Sequence, residues 1–252
     1  AWLRVATYNV HGCVGTDRKR SEERVAQVID DLNVDVIGLQ ELDLGRQRSS
    51  RVDQAGEIAA LLGWHWHFEA AMSAAGRHYG HAVLSRFPLQ KERSACLPGR
   101  PPFFCRESRA AVRLRVETGV GTISIINTHL GLSRRERLQQ IGLLTTPDWL
   151  SAGQSSEPLI LLGDFNSLPG SRPYGMLSRH LRDVRRIVRP RCACRTFPTA
   201  FPILAVDHIF VNEALKPRSL AVHRTPLSRI ASDHFPLVAE LIPMKPGSAG
   251  AT

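Results

Sequence analysis

Cysteine is scarce in this chain of 252 residues, with five in all. The number is odd and no C-x-x-C pair occurs, which argues against a cysteine-bound zinc site and against a disulfide-rich scaffold. The spacing Cys192-Ala-Cys194 is too tight for an ordinary zinc knuckle. One disulfide, between Cys96 and Cys105, remains open as an isolated bridge.

Long apolar runs are also missing. No run reaches the roughly 18 residues needed to span a bilayer, and the chain opens on a strand-like segment, so we expect a cytoplasmic protein. No repeat of fixed period and no linker divides the sequence, which favours one domain over residues 1–242. Residues 243–252 are rich in Pro, Gly, Ser and Ala, and we expect them to form a flexible tail.

Acidic residues are the minority among the charged ones. Lys and Arg number 33 against 23 Asp and Glu, a formal net charge of +10. A basic surface attracts nucleic acid, anionic lipid headgroups and phosphorylated small molecules alike. Apart from dense stretches such as 179–191, the arginines are scattered, so an ordinary solvated surface explains the charge equally well. No obligate protein partner is evident.

Apolar periodicity predicts a strand-rich chain with interspersed helices and a substantial core, since 43% of its residues are hydrophobic. The predicted strands are 2–9, 35–40, 64–70, 81–85, 110–116, 122–128, 159–162, 206–211, 219–223 and 237–242. The predicted helices are 21–32, 53–62 and 133–150, the second ending at Gly63. Residues 97–104 and 191–203 are predicted loops with Phe residues, which either anchor the loops or bind substrate.

Polar side chains stand at the ends of several of these apolar strands. They are Asn9, Glu41, His129, Asp164, Asn166, Asp207, Asp233 and His234. Asp164 and Asn166 alternate, so both can point to the same side. Taken singly, each residue is also explained by a capped turn or a satisfied polar core position. Their convergence on one face would place carboxylates, amides and two imidazoles in one cleft, an arrangement suited to a hard cation and a phosphate.

The motifs resemble those of the endonuclease/exonuclease/phosphatase superfamily, the deoxyribonuclease I-like group. The resemblance rests on Leu39-Gln40-Glu41, Gly163-Asp164-Phe165-Asn166 and Ser232-Asp233-His234-Phe235-Pro236, and it looks most like small uncharacterised bacterial members. The segment 79–88 also matches, although His81 stands where the family often has Asn. The resemblance implies an α/β (α+β) fold, a four-layer α/β/β/α sandwich of two packed mixed β-sheets flanked by helices.

The resemblance also implies a metal cofactor. Family members use one or two Mg²⁺ ions, and carboxylate-rich sites accept Mn²⁺ or Ca²⁺ as substitutes. By resemblance, Glu41 and Asn9 hold the ion and Asp233 completes the site. A cation of this kind neutralises phosphoryl oxygens and lowers the pKa of bound water.

The same resemblance assigns catalytic roles. Asp164 and Asn166 orient the water and the phosphate. His234, held in one tautomer by Asp207, is either the general base or a phosphate contact. His129 either protonates the leaving oxygen or binds the phosphate. For Arg109, phosphate binding and an ordinary surface position remain two alternatives.

The expected function is therefore a divalent-metal-dependent phosphoester hydrolase, foremost a phosphodiesterase. Three rivals stay open: a nuclease acting on DNA or RNA, a phosphodiesterase directed at lipid in an anionic membrane, and a binding scaffold without catalysis. The basic charge favours the first, although no clear stripe of basic and aromatic residues is present. The Phe-bearing loops suit the second. The intact set of polar residues argues against the third.

Overall fold

A computed structural model of the protein describes residues 2–99, 107–150, 157–189 and 194–244. Twelve strands lie within these ranges: β1 Leu3–Asn9, β2 Val36–Leu44, β3 His65–Ala74, β4 Arg77–Ser85, β5 Leu89–Leu97, β6 Arg109–Thr118, β7 Gly121–His129, β8 Leu159–Asp164, β9 Arg182–Asp183, β10 Asp207–Val211, β11 Leu215–Val222 and β12 Leu237–Pro243. The α-helices there are α1 Glu22–Leu32, α2 Gln54–Leu62, α3 Arg134–Leu144, α4 Pro147–Leu150, α5 Arg172–Leu177, α6 Val184–Val188 and α7 Pro226–Ala231. Short 3₁₀ turns span His11–Cys13 and Gln47–Ser49.

The strands form two mixed sheets of six. One sheet has the order β11-β12-β1-β2-β4-β3, and the other has the order β5-β6-β7-β8-β10-β9. Each sheet contains one parallel pair near its centre, β1 with β2 and β7 with β8, and the pairs on either side of it are antiparallel. In each sheet, the carboxyl ends of the two parallel strands therefore lie side by side, and polar residues at these ends can be neighbours.

Three apolar clusters define four layers. The first joins the outer face of the β1 sheet to α1, α2 and α7, and the third joins the outer face of the β7 sheet to α3, α4 and α5. The second cluster lies between the sheets, where side chains such as Val5 and Val36 meet Ile125 and Leu162. The predicted α/β/β/α sandwich is confirmed.

Strand and helix positions follow the predicted pattern, with extended ends. The predicted caps are present: Ser21 Oγ accepts from Arg24 N at 3.0 Å, and Gly63 ends α2 with φ of 69°. The predicted long helix 133–150 is wrong, because it divides into α3 and α4. Thr145 and Thr146 hydroxyls donate to the carbonyls of Ile141 and Leu143 at 2.9 and 2.8 Å, and Pro147, which has no N–H, begins the next helix.

Other elements lie outside the sequence prediction. Strand β5 was not predicted because its centre, Gln90–Arg93, is polar, and the strand lies at a sheet edge with most of its side chains exposed. Helices α5, α6 and α7 have six residues or fewer, too short for a periodic signal. Pro243 belongs to β12 and the Met244 N–H donates to Ala214, so the predicted tail begins later than residue 243.

Several expectations lie beyond the described ranges. The rest of the tail, residues 245–252, falls outside them, as do Cys105 and the two phenylalanines of the 97–104 loop. Of the helices described, none combines the length and the apolar character needed to cross a membrane.

An amide pair joins the two sheets through their shared interior. Gln40 Nε2 donates to Asn127 Oδ1 at 2.8 Å, and Asn127 Nδ2 donates to the carbonyls of Leu39 and Ala82 at 3.1 and 2.8 Å. Gly38 permits this approach, since a Cβ there would collide with the Asn127 and Leu162 side chains. These bonds fix the position of one sheet on the other directly beside the polar end of the interior.

Replacing Asn127 with Ala should therefore destabilise the protein. The change removes three buried hydrogen bonds and leaves Gln40 with fewer partners, so we expect a loss of about 1–3 kcal/mol in the free energy of unfolding. Urea denaturation followed by circular dichroism measures it. Gln90→Ala, which truncates an exposed amide in β5, is the matched control. Equal stabilities of the two variants would contradict the bridging role of Asn127.

Candidate active site

The side-chain alternation of four strands carries polar residues into one end of the sandwich interior. In β8, Ile160 and Leu162 face the other sheet, and Asp164 continues that inward row. Asp164 pairs with His129 of the parallel strand β7 on one side and with Asp207 of the antiparallel strand β10 on the other. Three functional side chains thus lie next to one another at the end of the second sheet.

Asn9 brings the first sheet to the same place. It ends β1 on the inward face, 1% exposed. Its Nδ2 donates to Glu41 Oε1 at 2.9 Å and to Asp164 Oδ2 at 3.1 Å. Its Oδ1 accepts from the His11 backbone N–H at 3.1 Å. Because an amide nitrogen stands between two carboxylates, Asn9 holds both sheets together at the site and limits the repulsion between the acids.

Glu41 reaches the interior through a β-bulge. The pairing of β2 with β4 shifts register between Gln40 and Leu42, and Glu41 has φ of 63°. Strict alternation would turn a residue after the inward-facing Gln40 toward the helices. The extra residue turns the Glu41 carboxylate toward Asn9 instead, so the backbone conformation is part of the site.

His234 and Asp207 form a tight pair. The Nδ1 of His234 lies 2.9 Å from Asp207 Oδ2, and that oxygen also accepts from Thr196 Oγ1 at 2.5 Å. Burial alone would lower the pKa of His234, but the carboxylates of Asp207 and Asp164 outweigh it and raise the pKa to about 10. The ring of Phe197 packs on the imidazole at 4.6 Å between centroids. His234 therefore keeps one orientation, with Nε2 directed at Asp164.

His129 has a different partner, a guanidinium. Arg109 Nη1 lies 3.2 Å from His129 Nδ1 and 3.1 Å from Glu107 Oε2, and Tyr79 Oη donates to that same Glu107 oxygen at 3.2 Å. A guanidinium only donates, so Nδ1 is the bare nitrogen and Nε2 carries the hydrogen. Burial and the Arg109 charge hold the pKa of His129 well below its usual range.

The Asp164 carboxylate is the centre of the arrangement. Its Oδ2 lies 3.5 Å from His129 Nε2 and 3.7 Å from His234 Nε2. Burial, reinforced by the Asp207 charge, raises the pKa of Asp164. Gly163 makes the position accessible, because with φ of 148° it lies against the Thr128 carbonyl where a Cβ would collide.

Asn166 closes the side of the site next to His129. Its backbone N–H donates to Asp164 Oδ1 at 2.9 Å, and its Nδ2 donates to the Leu130 carbonyl at 2.8 Å. The same Nδ2 lies 3.2 Å from His129 Nε2, and with the hydrogen on Nε2 this is a close approach of two donors and not a hydrogen bond. A left-handed φ of 47° at Asn166 produces this turn. Asn166 thereby fixes the loop after β7 against the loop after β8.

The family follows from a comparison of the whole chain. A family model for the Endonuclease/Exonuclease/phosphatase family matches residues 6–234. The chain belongs to this family. A curated relative, the uncharacterized protein YbhP of Escherichia coli K12, is 28% identical over 265 residues, which cover 95% of this chain and 96% of YbhP.

Solved structures of other family members share the fold. A mannosyl-6-phosphatase of Bacteroides thetaiotaomicron superposes with a TM-score of 0.74 at 20% identity, over 95% of this chain and 99% of that one. The human Nocturnin catalytic domain with bound sulfate superposes with a TM-score of 0.67 at 20% identity, over 95% and 94% of the two chains. At these identities the likeness establishes the sandwich and leaves the substrate open.

The residues that the family motifs point to do meet in space. All nine predicted residues lie around one end of the interior: Asn9, Glu41, Arg109, His129, Asp164, Asn166, Asp207, Asp233 and His234. Their individual roles stay predictions. Arg109 is 4% exposed, so the surface alternative for this residue is wrong. His208 belongs to a separate buried group with Asp183 and Arg185.

One residue of the site was missed. His11 Nδ1 lies 3.4 Å from Glu41 Oε2 and 3.7 Å from Asp233 Oδ2, between two predicted metal ligands. Its hydrogen bond with Glu41 raises its pKa. The spacing Asn9-Val10-His11 directly after a strand was the available sequence clue. Its left-handed φ of 50°, which turns the side chain back over the site, is not visible in the sequence.

Two groups of side chains suit a cation. Ligand atoms of Asp164, Asp207 and His234 all lie within 4.8 Å of one another. Asp207 Oδ1 is buried and has no hydrogen-bond partner among the described residues, as expected of an oxygen meant for another ligand. Glu41, with Asp233 beyond His11, supplies further carboxylate oxygens. This oxygen-rich donor set fits a hard divalent ion.

The charge of Asp207 should control the protonation of His234. In the metal-free Asp207→Asn variant, the largest stabilising interaction of the imidazolium is gone, so the pKa of His234 should fall from about 10 toward its ordinary value. Imidazole NMR titration between pH 5 and about 11 measures it, with exposed His65 as the internal control. An unchanged His234 pKa would show that Asp207 does not set it.

Proposed function

We propose that the protein is a divalent-metal-dependent hydrolase of phosphoester bonds, with phosphodiesters as its substrates. The observation that carries the proposal is the meeting of Asp164 with the Nε2 atoms of His129 and His234 at 3.5 and 3.7 Å, beside the Glu41–Asn9 pair. A carboxylate between two imidazoles, next to further carboxylates, suits activation of water against an anionic ester.

The metal would be held by Glu41 and Asp233, the two carboxylates on either side of His11. Mg²⁺ is the expected ion, with Mn²⁺ or Ca²⁺ as substitutes. When bound, it supplies positive charge to the phosphoryl oxygens and makes bound water more acidic. Asn9 keeps Glu41 and Asp164 at a fixed separation, so the donors are preorganised before any ion arrives.

Water activation falls to Asp164. Its Oδ2 is buried at the centre of the site and is surrounded by donors on three sides, which positions it to hold a water and accept its proton. Asn166 fixes the other carboxylate oxygen through its backbone N–H. This hydrogen bond prevents rotation of the carboxylate, so the attacking water has one direction of approach.

The two imidazoles flank this water and contact the phosphate. His234, anchored through Nδ1 to Asp207, presents Nε2 to the site. His129, anchored through Nδ1 to Arg109, presents an Nε2–H donor. Because Arg109 occupies Nδ1 with a donor, His129 suits phosphate binding better than protonation of the leaving oxygen. Arg109 acts on the phosphate through His129.

A lipid phosphodiester is a second candidate substrate. Phe201 is 73% exposed and Ile203 is 50% exposed, in a loop that the Thr199 N–H ties to the Asp233 carbonyl. Apolar side chains that face solvent beside a phosphoester site suit insertion at the surface of a membrane. A nuclease remains the alternative that the basic charge supports.

Hydrolysis of bis(p-nitrophenyl) phosphate tests the central proposal. The wild type should release p-nitrophenol with Mg²⁺ or Mn²⁺ and lose this activity in EDTA. Glu41→Ala and His234→Ala should each lower kcat/KM by about 10²–10³-fold, because each removes a group that acts on the transition state.

Arg186→Ala is the matched control, since Arg186 is an exposed residue of α6 outside the site. It should keep wild-type activity. Turnover that survives EDTA and both active-site substitutions would exclude this mechanism. Parallel assays on DNA, RNA, phospholipid vesicles and sugar phosphates then rank the substrate classes.

Metal binding separates the enzyme from a scaffold. Calorimetric titration of Mn²⁺ into the metal-free wild type should give saturable binding, and Glu41→Gln should weaken it by about ten-fold or more, because a charged ligand is lost. The amide keeps the size of the side chain. Absence of Mg²⁺ and Mn²⁺ binding by the wild type would favour the non-catalytic scaffold.

A further inference from the structure

A second cavity lies beside the active site, on the side of the β3–β4 hairpin. Its volume is about 380 Å³, and Arg46, Arg48 and Arg77 line it together with Met72 and Tyr79. The first two arginines come from the loop after β2, and Arg77 begins β4. None of the site residues described above contributes to this lining except Tyr79, which supports Glu107.

This cavity is a neighbour of the active site. A smaller cavity of about 280 Å³ contains His11 and Glu41, and it shares Arg48 and Tyr79 with the arginine-lined one. The shared residues form the boundary between the two spaces. A substrate that occupied both cavities would place its ester at Glu41 and a second group at the arginines.

The charges around this cavity do not balance. Within the described residues its lining includes three arginines and no carboxylate. Asp43 lies behind the lining, is 2% exposed and accepts two hydrogen bonds from Arg48 at 2.7 and 2.8 Å. Arg46 reaches the same carboxylate at 3.4 Å. One carboxylate thus serves two guanidiniums, which leaves an excess of positive charge.

Arg77 is not explained by the support of Asp43. Its Nε donates to the Ala74 carbonyl within its own hairpin, at 3.4 Å. Removing this side chain would cost the hairpin little. Arg48 has a structural role because it pairs with Asp43, whereas Arg77 supplies positive charge to the cavity.

The arginines beside Tyr79 are preorganised. The guanidinium carbons of Arg46 and Arg48 each lie 5.6 Å from the centre of the Tyr79 ring. Tyr79 is 3% exposed and is held through its hydroxyl by Glu107. A fixed ring beneath two guanidiniums orients their planar donors and lowers the entropy lost when they bind a phosphate.

We propose that Arg46, Arg48 and Arg77 form a second anion subsite, which binds a phosphate group of the substrate other than the one undergoing hydrolysis. The inference rests on the proposed function and narrows its substrate class to small phosphodiesters that carry a further phosphate group. Arginine forks bind phosphate through paired, charge-assisted hydrogen bonds. The volume of about 380 Å³ suits one phosphate with its adjoining sugar or alcohol, not the length of a polynucleotide.

Matched pairs of ligands test the subsite without turnover. Calorimetry in EDTA compares fructose 1,6-bisphosphate with fructose 6-phosphate, adenosine 3′,5′-bisphosphate with adenosine 5′-phosphate, and pyrophosphate with phosphate. The wild type should bind the bisphosphate of at least one pair about ten-fold more tightly than its partner, since two or three exposed arginines each add a modest gain.

Variants assign this preference to the arginines. Arg77→Ala and Arg46→Ala should each reduce it to about three-fold or less without weakening the monophosphate, and both leave the Arg48–Asp43 pair intact. Arg186→Ala should keep the full preference. Circular dichroism confirms the fold of each variant. Equal binding within all three wild-type pairs, or a preference that survives Arg77→Ala and Arg46→Ala together, would overturn the subsite.

Two further outcomes separate this inference from the function beneath it. Bisphosphate preference without metal-dependent hydrolysis would leave the subsite standing and reject the enzyme. Metal-dependent hydrolysis without the bisphosphate preference would support the enzyme and reject the subsite. A ten-nucleotide single-stranded DNA that binds more tightly than each bisphosphate would overturn the assignment to small substrates.

Discussion

The amide nitrogen of Asn9 donates to two carboxylates, Glu41 at 2.9 Å and Asp164 at 3.1 Å, and so links the polar ends of the two sheets. Two acids at this depth repel each other and lose hydration, which makes each costly without a donor. The bridge offsets that cost and fixes the spacing of the acids. The positions of His129 and His234 follow, because both rings are directed at the same Asp164 oxygen.

The pKa values of the two imidazoles are shifted in opposite directions, although both rings are equally buried. His234 faces the carboxylates Asp207 and Asp164, which favour its charged form. His129 faces Arg109, which favours its neutral form. The surroundings within one site therefore favour the cationic form of one ring and the neutral form of the other before any metal binds. Such a pair of groups, shifted in opposite directions by their neighbours, is a common basis of acid–base chemistry at a single pH.

Glu41, His11 and Asn166 reach the site through left-handed backbone conformations. Each is a residue other than glycine, so each conformation costs energy that the surrounding hydrogen bonds must offset. Strand β2 continues to Leu44 beyond the bulge at Glu41, and the loop that follows it places Arg46 and Arg48 at the ring of Tyr79.

The sequence by itself determined which apolar strands end in polar residues, because apolar alternation is local. Its G-D-F-N and S-D-H-x-P segments are local too, and through them the chain resembled one family, which in turn implied the four-layer sandwich. Alternation also explains why Asn9, Asp164 and Asp207 face inward. It could not place Glu41, whose bulge reverses the alternation, or His11, whose turn has no local pattern. The pairing of His129 with Arg109 and the cavity around Tyr79 were decided by tertiary structure alone, since they join residues from separate strands and loops whose distances depend on how the two sheets pack.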